Sequence, residues 1–167
     1  MAKPTFLAAA SGAKGTSKVS RLVKAPRAAV YNAFIDPALV VQWLAPDNMR
    51  GEVHQFDARA GGAFRMSLTY IDPSQSPGGK TTDDKDSFQG RFAELVPNEK
   101  IVEIIEFESE DPRFAGEMTM TVTLAGAKGG TEVTLLFENI PSGIRPEDND
   151  EGSRQSLRKL AKLLEQE

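Results

Sequence analysis

A single amphipathic helix near the end of the chain, Glu151–Leu164, constrains the fold more than any other feature. Its apolar residues recur with the spacing i, i+3, i+4 and i+7, which places them on one helix face. These residues are Leu157, Leu160, Ala161 and Leu164. Because a helix with one apolar face must bury that face against another element, the rest of the chain has to supply a surface for it.

That surface is predicted to be a sheet, because most of the chain between Val19 and Glu138 alternates apolar with polar residues. The predicted strands are Val19–Val23, Glu52–Asp57, Ala63–Tyr70, Ser87–Glu94, Ile101–Glu108, Met118–Leu124 and Val133–Phe137. Consecutive strands that are joined by short turns should pair antiparallel. The sequence therefore predicts an α+β fold in which a seven-stranded curved antiparallel sheet grips the long C-terminal helix.

Two short helices are predicted between the first and second strands. Pro26 suits the first turn of one helix, where its missing N–H costs nothing. Asp36 and Pro37 suit the cap and first position of the next helix, and Pro46 ends it. We expect these two helices to close one end of the concave side of the sheet.

The remaining segments set the predicted boundaries. Residues 1–18 are rich in Ala, Gly, Ser and Lys without periodicity and are expected to form a mobile tail, so that 19–167 form a single domain. Ile71–Lys85 is predicted to be a long loop, of the kind that is often functional or disordered. Asp148 and Glu151 have the spacing of a capping box at the start of the long helix.

Composition excludes several classes of function. The 167 residues carry a net charge of −4, so no overall positive charge favours the binding of nucleic acid. The absence of cysteine excludes a disulfide scaffold, a thiol nucleophile and thiolate metal sites. The single histidine disfavours a zinc site, and no cofactor is expected. No apolar run approaches the ~20 residues of a membrane span, and a cytoplasmic location is expected.

Four segments of the chain resemble a known family. They read APRAAVYNAFIDPALVVQWLAP, FDARAGGAFRMSL, FQGRFAELVPNEKIV and ENIPSGIRPEDNDEGSRQSLRKLAKLLE. In this order they resemble the START-related helix-grip (SRPBCC) superfamily, and within it the branch similar to the C-terminal domain of the activator of Hsp90 ATPase. The resemblance covers nearly all of residues 19–166. It implies the helix-grip fold, but it implies no single activity, because the superfamily includes lipid carriers, hormone receptors and cyclases.

The candidate site is the space between the sheet and the long helix. Its candidate ligand-binding residues are Trp43, His54, Phe64, Arg65, Met66, Tyr70, Phe92, Met118, Met120, Leu157 and Leu160. His54 shares its predicted strand face with Phe56, so alternation aims it at this space, although a hydrogen-bonded strand position explains it as well. Trp43 either walls the site or packs its short helix onto the sheet.

The arginines on the predicted strands have two explanations. Arg65 and Arg91 either face an anionic group of a ligand or pair with acids on the solvent side, such as Glu94 or Glu103. No catalytic residue is assigned, because no nucleophile elbow, Ser/His/Asp order or carboxylate pair can be recognised.

Three functions remain open at this point. The first is the binding of a small hydrophobic molecule without chemistry. The second, from the resemblance, is a partnership with the chaperone Hsp90. The known activators also carry an N-terminal domain with a Trp-rich motif, which is not expected in this sequence because it has a single Trp. The third is an enzyme of the cyclase or hydrolase type, which the lone histidine disfavours.

Overall fold

The computed structural model describes residues 15–72 and 85–165. Within these residues the strands are β1 (Gly15–Val23), β2 (Met49–Phe56), β3 (Ala63–Tyr70), β4 (Lys85–Val96), β5 (Lys100–Phe107), β6 (Met118–Ala127) and β7 (Gly130–Ile140). The α-helices are α1 (Arg27–Ile35), α2 (Pro37–Trp43) and α3 (Pro146–Leu164). A short 3₁₀ turn, Pro112–Phe114, separates β5 from β6. The predicted fold class is confirmed.

The strands form one antiparallel sheet of seven strands in the order β1-β7-β6-β5-β4-β3-β2. Each strand from β2 to β7 pairs with its neighbour in sequence, as expected for short connections. The first strand pairs instead with the last, so the α1–α2 segment carries the chain from one sheet edge to the other. The helices therefore lie across the sheet.

One face of the sheet is the core face. A row of paired residues crosses four neighbouring strands on this face, and all of them are buried: Val19, Leu135, Val122 and Ile101. Opposite residues of antiparallel strands point to the same side, so this row marks the side that the helices cover.

The break between the two short helices follows from two residues. The side chain of Asp36 accepts a hydrogen bond from the backbone N–H of Ala38 at 3.0 Å, and Pro37 occupies the first turn of α2. The predicted cap is therefore confirmed. The indole N–H of Trp43 donates to the carbonyl of Ala33 at 3.0 Å, which holds α2 against α1.

Helix α3 buries the predicted stripe. Leu157 and Leu160 are fully buried, and the helix packs against β1 and α2. It begins at Pro146, earlier than the predicted Glu151, because the fixed φ of proline and its missing N–H suit a first helical position. The predicted capping box is wrong, since no side chain caps this helix and Asp148 already lies in its first turn.

The predicted boundary between the tail and the first strand also changes. β1 begins at Gly15, so residues 15–18 belong to a strand and not to the tail. Ser17 is buried there and donates a hydrogen bond to Asp150 of α3. The polar segment 15–18 forms part of a strand because β7 pairs with its backbone and α3 accepts the hydrogen bond of the Ser17 hydroxyl. Neither partner is visible in the local sequence. The rest of the predicted tail, residues 1–14, and most of the predicted loop, residues 73–84, lie outside the described residues.

Candidate functional site

A pocket of about 70 Å³ lies between the core face of the sheet and the helices. Its lining residues come from α1, α2, α3 and five strands. They are Phe34, Val40, Trp43, Leu44, Phe56, Met66, Glu103, Met120, Leu135, Phe137, Ser153 and Ser156. Nine of these twelve side chains are apolar, and the indole N–H of Trp43 is the one polar group among the nine. The pocket wall is therefore mainly apolar.

Aromatic side chains contact one another in the pocket wall and directly behind it. Phe34 and Trp43 meet edge to face with their ring centroids 4.7 Å apart. Phe56 is similarly arranged against Phe92, at 5.3 Å, and Phe92 in turn contacts Phe64 at 5.2 Å. Aromatic contacts of this kind stabilise the fold beyond the area that they bury.

Two serines of α3 bring polar atoms to the pocket. Ser153 and Ser156 are both buried and stand on the same helix face as Leu157 and Leu160. The hydroxyl of Ser156 donates to the backbone carbonyl of Leu44 at 2.5 Å, which ties α3 to the end of α2.

Glu103 is the only ionisable side chain in the pocket lining of the described structure. It lies on β5, paired with Phe92 on one side and Met120 on the other, and is only 8% exposed. Among the described residues, no group donates a hydrogen bond to its carboxyl and no cation pairs with it. Because burial disfavours the charged form, the pKa of Glu103 is raised to about 8.

The predicted site residues separate into groups. Trp43, Met66 and Met120 line the pocket. The buried core around the pocket, but not its lining, contains Phe64, Phe92, Met118, Leu157 and Leu160. Tyr70 is half-buried at the end of β3, where burial and then the charge of Asp86 raise its pKa.

His54 and Arg65 lie on the opposite side of the sheet from the pocket. The alternation that aimed His54 at the pocket is broken, because the pairing of β2 with β3 shifts between Val53 and Gln55. His54 is exposed and its Nε2 lies 2.9 Å from the hydroxyl oxygen of Ser67. This Ser–His contact offers no accessible nucleophile, since Ser67 is only 2% exposed.

Arg65 forms a bidentate ion pair with Glu108, in which Nε and Nη2 donate to the two carboxylate oxygens at 2.6 and 2.8 Å. The Arg65 hydrogen bond holds the pKa of the Glu108 carboxyl below its ordinary value. Arg91 pairs with Glu117 at 3.1 Å. Both arginines therefore pair with acids, as one of the two explanations expected, but their partners are Glu108 and Glu117 and not Glu94 or Glu103.

Sequence reasoning did not select Glu103 as a pocket residue, although a signal was present. Ile101, Glu103 and Ile105 share one phase of their strand, and both isoleucines are buried. Val102 and Ile104 form an equally apolar opposite phase, so the strand pattern alone does not tell which side is buried. For Ser153 and Ser156, the signal was their position one turn before the leucines of the helix stripe.

No group of His, Cys, Asp or Glu within residues 15–72 and 85–165 is arranged to hold a metal ion. In the same part of the chain, no helix is long and apolar enough to cross a membrane.

A curved antiparallel sheet around a long C-terminal helix, with a pocket between them, defines a helix-grip protein of the START-like superfamily. The family model "Activator of Hsp90 ATPase homolog 1-like protein" matches residues 24–165. The chain belongs to this family, as the resemblance implied.

Solved structures of similar proteins show the same fold. A protein from Chromobacterium violaceum is 35% identical, with 91% of this chain and 98% of that chain covered and a TM-score of 0.81. A Rhizobium leguminosarum protein is 22% identical, with 94% and 98% covered and a TM-score of 0.70. An AHSA1-like protein from Aeromonas hydrophila is 18% identical, with 90% and 92% covered and a TM-score of 0.67. No curated protein sequence matches this chain.

Proposed function

We propose that this protein binds a small hydrophobic molecule in the pocket between the sheet and α3, without performing chemistry on it. The observation that carries the proposal is the apolar pocket that the helices leave over the core face of the sheet. Pockets of this kind, with a few polar groups among apolar side chains, are the usual form of small-molecule sites. Within the described residues, the Ser67 hydroxyl beside His54 is too buried to serve as a nucleophile, which argues against a hydrolase function.

The pocket volume limits the size of the ligand. Sites for drug-sized molecules enclose roughly 300–1,000 Å³, whereas this pocket encloses about 70 Å³. A ligand the size of one ring with a short substituent therefore fits better than a long lipid chain.

Filling the pocket tests the proposal. Ser153→Leu adds apolar volume to the pocket from α3 without removing a hydrogen bond to the described residues. Arg154→Leu adds the same side chain to the exposed side of the helix and serves as the control. Thermal stability of the wild type and of the Arg154 variant should rise as a one-ring apolar ligand is added, because only the folded state binds it. The Ser153 variant should lose most of this rise.

Two results would defeat the binding proposal. One is the absence of any ligand-induced stabilisation in the wild type. The other is stabilisation that is equal in the Ser153→Leu and Arg154→Leu variants, since binding would then occur outside the pocket. Fluorescence of Trp43 provides a second readout, because this buried indole lines the pocket.

A chaperone partnership is the second candidate, and it is favoured by membership of the activator of Hsp90 ATPase homolog 1-like family. In this role the chain would increase the rate at which Hsp90 hydrolyses ATP. The test is the ATPase rate of purified Hsp90 with and without the full chain. An unchanged rate at saturating chain concentration would remove this candidate and leave the ligand-binding proposal untouched.

A further inference from the structure

We infer that Glu103 selects the ligand: the pocket takes a small apolar molecule that carries one uncharged hydrogen-bonding group, such as a hydroxyl, carbonyl or amide, and that group binds the Glu103 carboxyl. This inference rests on the proposed function and adds the chemical class of the ligand. It starts from the placement of a carboxyl group in the middle of an apolar wall.

No hydrogen bond or ion pair of its side chain to the described residues explains the position of Glu103. Glu103 is only 8% exposed, and none of the described residues supplies its carboxyl with a hydrogen bond or a counter-ion. Its neighbours across the sheet are Phe92 and Met120, both of which are buried and apolar. No side-chain oxygen or nitrogen of the described residues is both fully enclosed and unpaired, so the Glu103 carboxyl keeps access to the pocket that it lines. A carboxyl that burial desolvates without a protein partner is destabilising, so such a group is expected to serve a ligand.

The charge of the pocket excludes anionic ligands. No lysine, arginine or histidine lines it within the described structure, so a carboxylate or phosphate would be desolvated there without a cation. Such a ligand would also face the carboxyl of Glu103.

A cationic amine fits less well than a neutral group. An ammonium group has three N–H donors, and the free acceptors in the pocket are those of Glu103 and Ser153 together with the lone pairs of Ser156. Binding an amine would also require two charges to be desolvated together. A hydroxyl or an amide needs only one or two partners, and a protonated carboxyl offers one donor and one acceptor.

The test uses four one-ring probes that differ in their polar group: toluene, benzyl alcohol, benzylamine and benzoate. Their dissociation constants are measured by calorimetry at about pH 6, where Glu103 is protonated. The proteins are the wild type, Glu103→Met, Glu103→Gln and the control Glu106→Met. Glu106 is exposed on the same strand and lies outside the pocket lining.

The ratio of the toluene to the benzyl alcohol dissociation constant isolates the hydrogen bond, because both probes bury the same ring. We expect this ratio to fall about three- to tenfold in Glu103→Met, the range of one neutral hydrogen bond. It should stay within about twofold in Glu103→Gln, which keeps a donor and an acceptor, and in Glu106→Met. Toluene itself should bind Glu103→Met at least as tightly as the wild type.

The outcomes separate this inference from the function on which it rests. If toluene and benzyl alcohol bind but their ratio is unchanged in Glu103→Met, the role of Glu103 is refuted and apolar binding stands. Tightest binding of benzylamine or benzoate would overturn the uncharged class of ligand. If no probe binds the wild type, the proposed function fails and this inference fails with it. Circular dichroism of each variant confirms that it is folded.

Discussion

The buried carboxyl of Glu103 should make the stability of the protein depend on pH in a direction opposite to that of most acids. Burial raises the pKa of Glu103 from its ordinary value of 4.5 to about 8. The folded protein therefore holds this proton more tightly than the unfolded chain does. Stability from this group is greatest below about pH 4.5, falls as pH rises through the interval, and is lowest above about pH 8.

The size of the effect follows from that interval. One proton contributes about 1.4 kcal/mol per pH unit, so the interval from 4.5 to about 8 corresponds to a loss of at most about 5 kcal/mol. Water that reaches the carboxyl through the pocket reduces this figure, and we expect a loss of about 2–5 kcal/mol. A typical domain has a stability of only about 5–15 kcal/mol, so the effect is large enough to measure.

Glu103→Gln removes the ionisation while it keeps the shape and hydrogen-bonding capacity of the side chain. Urea unfolding of this variant and of the wild type from about pH 5 to pH 9 gives two curves of unfolding free energy. The wild type should lose stability relative to Glu103→Gln as pH rises, and the variant should be the more stable protein at about pH 9. Glu106→Gln, which removes an exposed carboxylate from the same strand, controls for the change in net charge.

A difference between wild type and Glu103→Gln that stays constant from about pH 5 to pH 9 would refute the reasoning. It would mean that the carboxyl is as well solvated, or as well paired, in the folded protein as in the unfolded chain. The same pH dependence in Glu106→Gln and in Glu103→Gln would assign the effect to net charge.

Three further predictions follow from packing and from the sides of the sheet. Leu160→Ala should cost about 2–5 kcal/mol in urea unfolding, because this α3 residue is fully buried in the core. A cost below about 1 kcal/mol would contradict its place in the core. Gly90→Ala should destabilise by about 1–3 kcal/mol or more, because a Cβ there would lie 1.9 Å from a backbone oxygen of the next strand. Gly126→Ala, where a Cβ would meet nothing within 4 Å, should change stability by less than about 0.5 kcal/mol, and equal effects would refute the steric argument. His54→Ala and Arg65→Gln should leave ligand affinity unchanged within about twofold, because both residues lie across the sheet from the pocket. A large loss of ligand affinity in either variant would place the binding site elsewhere.

Local sequence was sufficient wherever a pattern has a single reading. The period-two alternation of Ala63–Tyr70 predicted both ends of β3, because no other local structure buries every second residue. The leucine stripe of α3 and the Asp36-Pro37 cap were predicted correctly for the same reason. The resemblance of four long segments then identified the family that the family model shows.

The composition of the pocket was decided only in the tertiary structure. A shift of register between β2 and β3 turns His54 away from the core, and it depends on a neighbouring strand rather than on the β2 sequence. Glu103 faces the pocket because β5 pairs with β4 and β6 in one particular phase, while the opposite phase is equally apolar. A strand pattern defines two faces, but which face is buried depends on long-range pairing and on where the helices pack. The sequence by itself thus determined the elements and the family, and tertiary packing determined which side chains meet in the pocket.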